Sequence, residues 1–165
     1  MKLINKLSIV VSVYNEEAVL DKFYETILPI LEGIDSDYEL IFVNDGSRDA
    51  SPAILDRLAM DSKKVKVIHF SRNYGHEAAM IAGIDYSSGD GIVCMDADLQ
   101  HPVECIPQIL DTFKQGYELI SMVRTANKSA GFVKNLTSGL FYKILNKISE
   151  VHFEENASDF FAITK

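Results

Sequence analysis

Five times along the chain, a short apolar and β-branched run is followed by a stretch of helical periodicity. This alternation is the tightest constraint on how the chain can fold. Leu7–Val13, Tyr38–Val43, Val65–Phe70, Gly91–Met95 and Tyr117–Val123 read as strands. They are nearly continuous in apolar character, as strands covered on both faces of a parallel sheet are. The first helix is predicted to run to about Leu31, with Asn15 as its N-cap and Leu20, Phe23 and Ile27 on its buried face. Further helices are predicted from Ser51-Pro52, from His76 to Tyr86, from Pro102 to Lys114 and from Gly131 to Ser149, with a last short strand over Ser158–Ile163. Such an order calls for an α/β architecture, a mostly parallel sheet with helices on both faces. The 165 residues suit a single domain, residues 1–165.

In sheets of this kind, ligands sit beyond the carboxyl ends of the strands. Each polar cluster falls at such an end: residues 14–16, 44–49, 71–76, 96–101 and Arg124. The most demanding of them is Asp96-Ala97-Asp98-Leu99-Gln100-His101-Pro102. If the strand continues, Asp96 and Asp98 point the same way about 7 Å apart or less, and like charges that close repel. A hard divalent cation, Mg²⁺ or Mn²⁺, removes the repulsion and keeps positions open for phosphate, with Gln100 on the same face as a further oxygen donor. His76, His101 and His152 form no constellation in the sequence, and His69 reads as an ordinary strand residue.

Other chemistries lose support. Neither the Gly-x-Gly-x-x-Gly fingerprint nor the phosphate loop ending in Gly-Lys-Ser/Thr is present, and there is no Gly-x-Ser-x-Gly elbow. A net charge of −8 argues against nucleic acid as the main partner. Cys94 and Cys105 lie in or near apolar segments without metal spacing, which fits reduced, buried thiols. No apolar run reaches the roughly 18 residues of a membrane span. Residues 121–149 hold five of the 16 cations and no acid, leaving 11 cations against 24 acids elsewhere. The helix over 131–149 therefore reads either as a core-packing helix with a solvated lysine face, or as a basic amphipathic helix at an anionic membrane surface.

Four motifs in order carry a resemblance. Ser8-Ile-Val-Val-Ser-Val-Tyr-Asn-Glu-Glu, Val43-Asn-Asp-Gly-Ser-Arg-Asp, Ser71-Arg-Asn-Tyr-Gly-His-Glu-Ala-Ala and Asp96-Ala-Asp-Leu-Gln-His-Pro resemble family 2 glycosyltransferases of the GT-A fold. The closest likeness is to the branch that makes dolichyl- and polyprenyl-phosphate sugars. The resemblance implies an inverting, metal-dependent transfer from a nucleotide-diphosphate sugar, UDP more than GDP, to polyprenyl phosphate at the inner, cytoplasmic face of the cell membrane. It implies that Ser12, Tyr14, Glu16, Asp45, Ser71, Arg72, Asn73, Asp96 and Ala97 bind the nucleotide, and that Asp96, Asp98 and Gln100 hold Mg²⁺ or Mn²⁺. Arg124 would meet phosphate and Asp159 would lie near the acceptor as a candidate base; where the family's further arginine is missing, either Lys128 and Lys134 take over contact with the lipid phosphate or the acceptor differs.

The chain departs from that pattern where Gly139 follows Leu136-Thr137-Ser138 in place of an arginine. Transfer to a saccharide or polymer, or a catalytically silent nucleotide-binding domain, are the competing readings. Because the chain stops inside the apolar run Phe160–Lys165, a membrane-associated C-terminal part is expected beyond it.

Overall fold

The computed structural model describes residues 3–123 and 157–165. It divides into two compact units, 1–120 with 160–165, and 121–159. Of the second unit, only the strand residues 121–123 and 157–159 are described. The predicted helix over 131–149, with Lys134, Lys143 and Lys147, lies outside the described residues, as do Arg124, Lys128 and His152.

The elements run β1 (Lys6–Val13), α1 (Leu20–Glu32), β2 (Asp37–Asn44), α2 (Ser51–Asp61), β3 (Val65–His69), α3 (His76–Tyr86), β4 (Gly91–Asp96), α4 (Ile106–Lys114), β5 (Leu119–Val123) and β6 (Ala157–Thr164). A single 3-10 turn, Val103–Cys105, precedes α4. The six strands form one sheet in the order β3-β2-β1-β4-β6-β5. β1 pairs in parallel with β2 and with β4, and β2 with β3. β6 runs antiparallel to β4, with Gly91 opposite Thr164 and Cys94 opposite Phe161. The last strand is thus longer than the sequence suggests.

Continuous apolar strands do what their composition demands, because both faces of the sheet are covered. In β2 alternate residues serve opposite sides. Phe42 meets Phe23 of α1 edge-on at 6.1 Å between ring centroids, whereas Ile41 and Val43 pack with Ala79 and Met80 of α3. Leu20, Phe23, Ile27 and Leu31 make the buried stripe of α1. Cys94 is buried in the same core, and burial pushes its thiol up to about 12, so it packs as a small apolar group.

The N-cap expectation at Asn15 is corrected. Asn15 takes a left-handed conformation, φ +57°, and α1 begins only at Leu20 with no side-chain cap. An N-cap needs extended backbone, so Asn15 cannot serve as one here. Its polar groups go across to the next loop instead. Its N–H donates to Ser47 Oγ at 2.9 Å, and its Oδ1 accepts from Arg48 N–H at 2.8 Å. Glu16 N–H to Ser51 Oγ (2.9 Å) and Ala50 N–H to Glu17 Oε2 (2.7 Å) extend the lacing. Two loops that follow neighbouring strands are thereby held as one surface.

Candidate functional site

The strand order places the site. The chain builds outward from β1 to β2 and β3, then returns to the other side of β1 for β4, so the order reverses between β1 and β4. A crevice opens at such a reversal, beyond the carboxyl ends of the strands. Ser12 and Asp96 are register partners across that pair of strands. Ser12 Oγ–H donates to Asp96 Oδ1 at 2.8 Å, and His76 Nδ1 lies 2.8 Å from Ser12 Oγ and 3.3 Å from Asp96 Oδ1.

The Asp96–Asp98 pair differs from the sequence expectation in its backbone. β4 ends at Asp96, so Asp98 and Gln100 are not later positions on one strand face. The chain turns instead, with Leu99 at φ +60° and Gln100 N–H donating to Asp98 Oδ1 at 2.9 Å. The turn rests on His101, which is buried, accepts the Asp96 N–H on Nδ1 at 3.1 Å and stacks on Phe160 at 5.2 Å. An Nδ1 that accepts a main-chain N–H belongs to the neutral tautomer protonated on Nε2.

Carboxylates still gather here, because Glu16 joins them from the β1–α1 loop. Its carboxyl is pushed above its ordinary value by partial burial, and then by the charges of Asp98, Asp96 and Asp49. Besides burial, the charges of three other acids act on Glu16, and clustered carboxylates of this kind are a condition a divalent cation relieves. The oxygen donors present therefore suit Mg²⁺ or Mn²⁺.

A pH dependence follows from Glu16. In the native state it holds its proton to higher pH than in the unfolded chain, so metal-free stability falls as pH rises from about 4.5 through the raised value. Glu16→Gln is expected to raise the melting temperature at pH 7 in chelating buffer and to leave it unchanged near pH 4. Thermal melts at the two pH values check this.

Asp45 is buried, and its carboxylate is engaged by main chain. It accepts Tyr74 N–H at 2.6 Å and Gly75 N–H at 2.9 Å, while its own N–H donates to the Val13 carbonyl at 2.9 Å. Asp45 thus fixes the backbone just ahead of α3. Gly46 makes this closeness possible. At φ +68° it sits against the Arg72 backbone, and a Cβ there would lie 2.3 Å from Arg72 C. Asn44, also buried, donates its amide to His69 Nδ1 at 2.9 Å, and His69 Nε2 faces Asp56 Oδ1 at 3.0 Å. His69 is therefore a tie between β3 and α2 and does more than a plain strand residue.

Ser71, Arg72, Asn73 and Tyr74 are exposed, with the Arg72 guanidinium 4.5 Å from the Tyr74 ring centroid. Tyr14 is exposed and Ala97 is buried. The structure thus brings Ser12, Glu16, Asp96 and Asp98 together around the end of β4, and Asp45, Ser71, Arg72 and Asn73 around the start of α3. Asp159 lies exposed in the second unit, on β6.

Sequence reasoning missed His76 and His101 as members of this neighbourhood. The available signal was position alone: each histidine follows a strand end by a few residues. A cleft of about 530 Å³ lies away from these residues, by Ile4 at the amino end of the sheet, and is lined also by Ile34, Pro107, Leu110, Asp111 and Lys114.

An uncharacterised glycosyltransferase of Bacillus subtilis strain 168 is 42% identical over 153 residues, covering 93% of this chain and 47% of that protein. The bactoprenol glucosyl transferase of Shigella phage SfV is 39% identical over 155 residues, covering 94% of this chain and 50% of that protein. The chain spans about half the length of the curated relatives it matches. Among solved structures, glucosyl-3-phosphoglycerate synthase from Mycobacterium tuberculosis with Mn²⁺, UDP and glucosyl-3-phosphoglycerate superposes with a TM-score of 0.68 at 21% identity, over 97% of this chain and 57% of that one. A mannosyltransferase from Pyrobaculum calidifontis in complex with GDP-mannose and Mn²⁺ gives 0.65 at 16% identity, over 99% of this chain and 45% of that one. The fold is that of the GT-A glycosyltransferases. With residues 8–164 matched by the family model for glycosyl transferase family 2, the chain belongs to that family.

Proposed function

We propose that this chain is the donor-binding part of an inverting glycosyltransferase that moves a sugar from a nucleotide-diphosphate sugar to a polyprenyl phosphate. The observation that carries the reading is the gathering of Glu16, Asp96 and Asp98 beyond the β1/β4 pair, where Ser12 and Asp96 are register partners, and where partial burial and then the charges of Asp98 and Asp96 push Glu16 up. The acceptor class is supported by 39% identity to a bactoprenol glucosyl transferase across 94% of the chain.

In this reading Asp96 and Asp98, with Gln100, would hold Mg²⁺ or Mn²⁺, which would supply positive charge for the diphosphate. The loops carrying Tyr14, Asp45, Ser71, Arg72 and Asn73 take the base and ribose, with uridine preferred over guanosine. An oxygen of the lipid phosphate forms a bond to the anomeric carbon as the bond from that carbon to the diphosphate oxygen breaks. The nucleoside diphosphate leaves with the electron pair. A phosphate monoester is largely ionised near pH 7 and needs little help as a nucleophile. Asp159 then acts beside the acceptor, and Arg124, Lys128 and Lys134 meet its phosphate. The basic segment 131–149 lies at the membrane surface; among the described residues, no helix is long and apolar enough to cross a membrane.

Calorimetric titration of UDP and GDP, with and without Mn²⁺, tests the donor site. Binding of one nucleotide is expected to strengthen with Mn²⁺, and Asp98→Ala is expected to abolish that metal dependence. Failure of the folded chain to bind either nucleotide would sink the reading. Transfer of labelled sugar to undecaprenyl phosphate by the full-length protein then tests the acceptor.

A further inference from the structure

We propose that His76 and Ser12 are positioning residues for the metal-diphosphate site, clamping one oxygen of Asp96 so that the other is presented to the ion. This rests on the donor-site reading above. Both contacts converge on Oδ1: Ser12 Oγ at 2.8 Å and His76 Nδ1 at 3.3 Å, with His76 Nδ1 also 2.8 Å from Ser12 Oγ. Among the described residues, Oδ2 of Asp96 accepts no hydrogen bond.

A hydroxyl has one hydrogen to give, and the carboxylate is the stronger acceptor. Ser12 Oγ–H therefore points at Asp96, which leaves His76 Nδ1 as a donor to Ser12 Oγ, with Asp96 Oδ1 beside it at 3.3 Å. A carboxylate with one oxygen held by Ser12 Oγ–H, and with Ser12 itself fixed by His76, cannot rotate freely about its terminal torsion, so the geometry offered to a cation is set before the cation arrives. Groups that orient metal ligands in this way commonly change metal affinity by about 10–100-fold when removed.

The clamp is itself positioned. His76 is the first residue of α3, and the two preceding N–H groups, Tyr74 and Gly75, are held by Asp45. Asp45 in turn is tied to β1 through the Val13 carbonyl, one residue from Ser12. The chain of contacts runs from β1 through the β2–α2 loop to α3 and back to β4. It explains why a histidine at a helix start, with no metal-like spacing in the sequence, stands against the first aspartate of the Asp-x-Asp pair. It also assigns a task to Ser12 distinct from touching the nucleotide.

The test compares Mn²⁺ titrations, followed by the paramagnetic resonance of free Mn²⁺, for the native 165-residue chain and four variants, each with UDP and with GDP. His76→Leu is expected to weaken Mn²⁺ binding by about 10–100-fold, with nucleotide binding in chelating buffer and the melting temperature unchanged. His76→Asn keeps an N–H near the position of Nδ1 and is expected to recover most of the loss. Ser12→Ala should weaken Mn²⁺ binding in the same direction, and it carries the test should His76→Leu fail to fold. Asp96→Ala marks complete loss.

Native Mn²⁺ affinity in both His76→Leu and Ser12→Ala, against loss in Asp96→Ala, would overturn the clamp while leaving the donor site standing. Equal loss in His76→Leu and His76→Asn, or an equal fall in metal-free nucleotide binding, would also overturn it. A native chain that binds neither nucleotide with Mn²⁺ would remove the donor-site reading and the clamp with it.

Discussion

Glu39→Ala is expected to cost about 3 kcal/mol of stability, at the lower end of what breaking a buried ion pair costs. The Glu39 side chain is only 2% exposed, at the end of the sheet opposite the candidate site. It accepts Ser8 Oγ–H at 2.6 Å, Ser88 N–H at 2.6 Å and Lys66 Nζ at 2.7 Å, and Lys6 Nζ lies 3.1 Å away. Burial on its own would raise this carboxyl, but the lysines and the hydroxyl and main-chain donors outweigh it and hold the group far below the usual carboxylate range. Four segments meet at this one side chain: β1, β2, β3 and the loop ahead of β4. Lys6 and Lys66 keep about a third of their side chains exposed, so they recover some hydration when Glu39 is removed, and the loss stays near the lower bound.

The pH arm has a definite sign. A carboxyl whose native value is depressed contributes its full stabilisation above about pH 4.5, and loses it as pH falls toward the native value. The native chain is therefore expected to lose stability steadily below pH 4.5, and Glu39→Gln to flatten that slope. Urea melts at pH 7 and pH 3.5 measure both. A chain of this length should show a melting shift of about 6–12 °C for the alanine variant.

Gly46→Ala is the second large effect, and it falls on binding as well as stability. The φ of +68° costs an alanine about 1–2 kcal/mol. The added Cβ would also stand 2.3 Å from Arg72 C and 2.6 Å from both Arg72 Cα and Asn73 N. Those are main-chain atoms and cannot swing aside, so the 71–75 loop must move away from Asp45. The two N–H bonds from Tyr74 and Gly75 then lengthen, and α3 starts from a displaced point. Expected results are a melting temperature lower by several degrees and nucleotide affinity reduced by at least tenfold. Calorimetry on the folded fraction reads the second. Native affinity in a destabilised variant would show that the loop tolerates the shift.

Much of this was legible in the chain alone. Continuous β-branched runs such as Leu7–Val13 can only be buried on both sides, and parallel strands joined by amphipathic helices are the economical way to do it. The same rule sends the polar clusters to the carboxyl ends of the strands, which makes Asp45, Asp96 and Asp98 candidates from the sequence alone. Periodicity fixes local structure because it reports burial, and burial is what the strands and helices of this sheet share.

Tertiary structure alone decided the rest, because those facts depend on which distant residues become neighbours. Asn15 has the composition of a cap, yet the loop after β2 offers its polar groups better partners than α1 does. Asp98 left the strand face because Leu99 turned into the left-handed region, which no periodicity reports. His76 lies 64 residues from Ser12 and 20 from Asp96, and nothing in its local sequence marks it as their partner. The strand order supplied that partnership by laying β4 beside β1, with α3 beginning over the end of both.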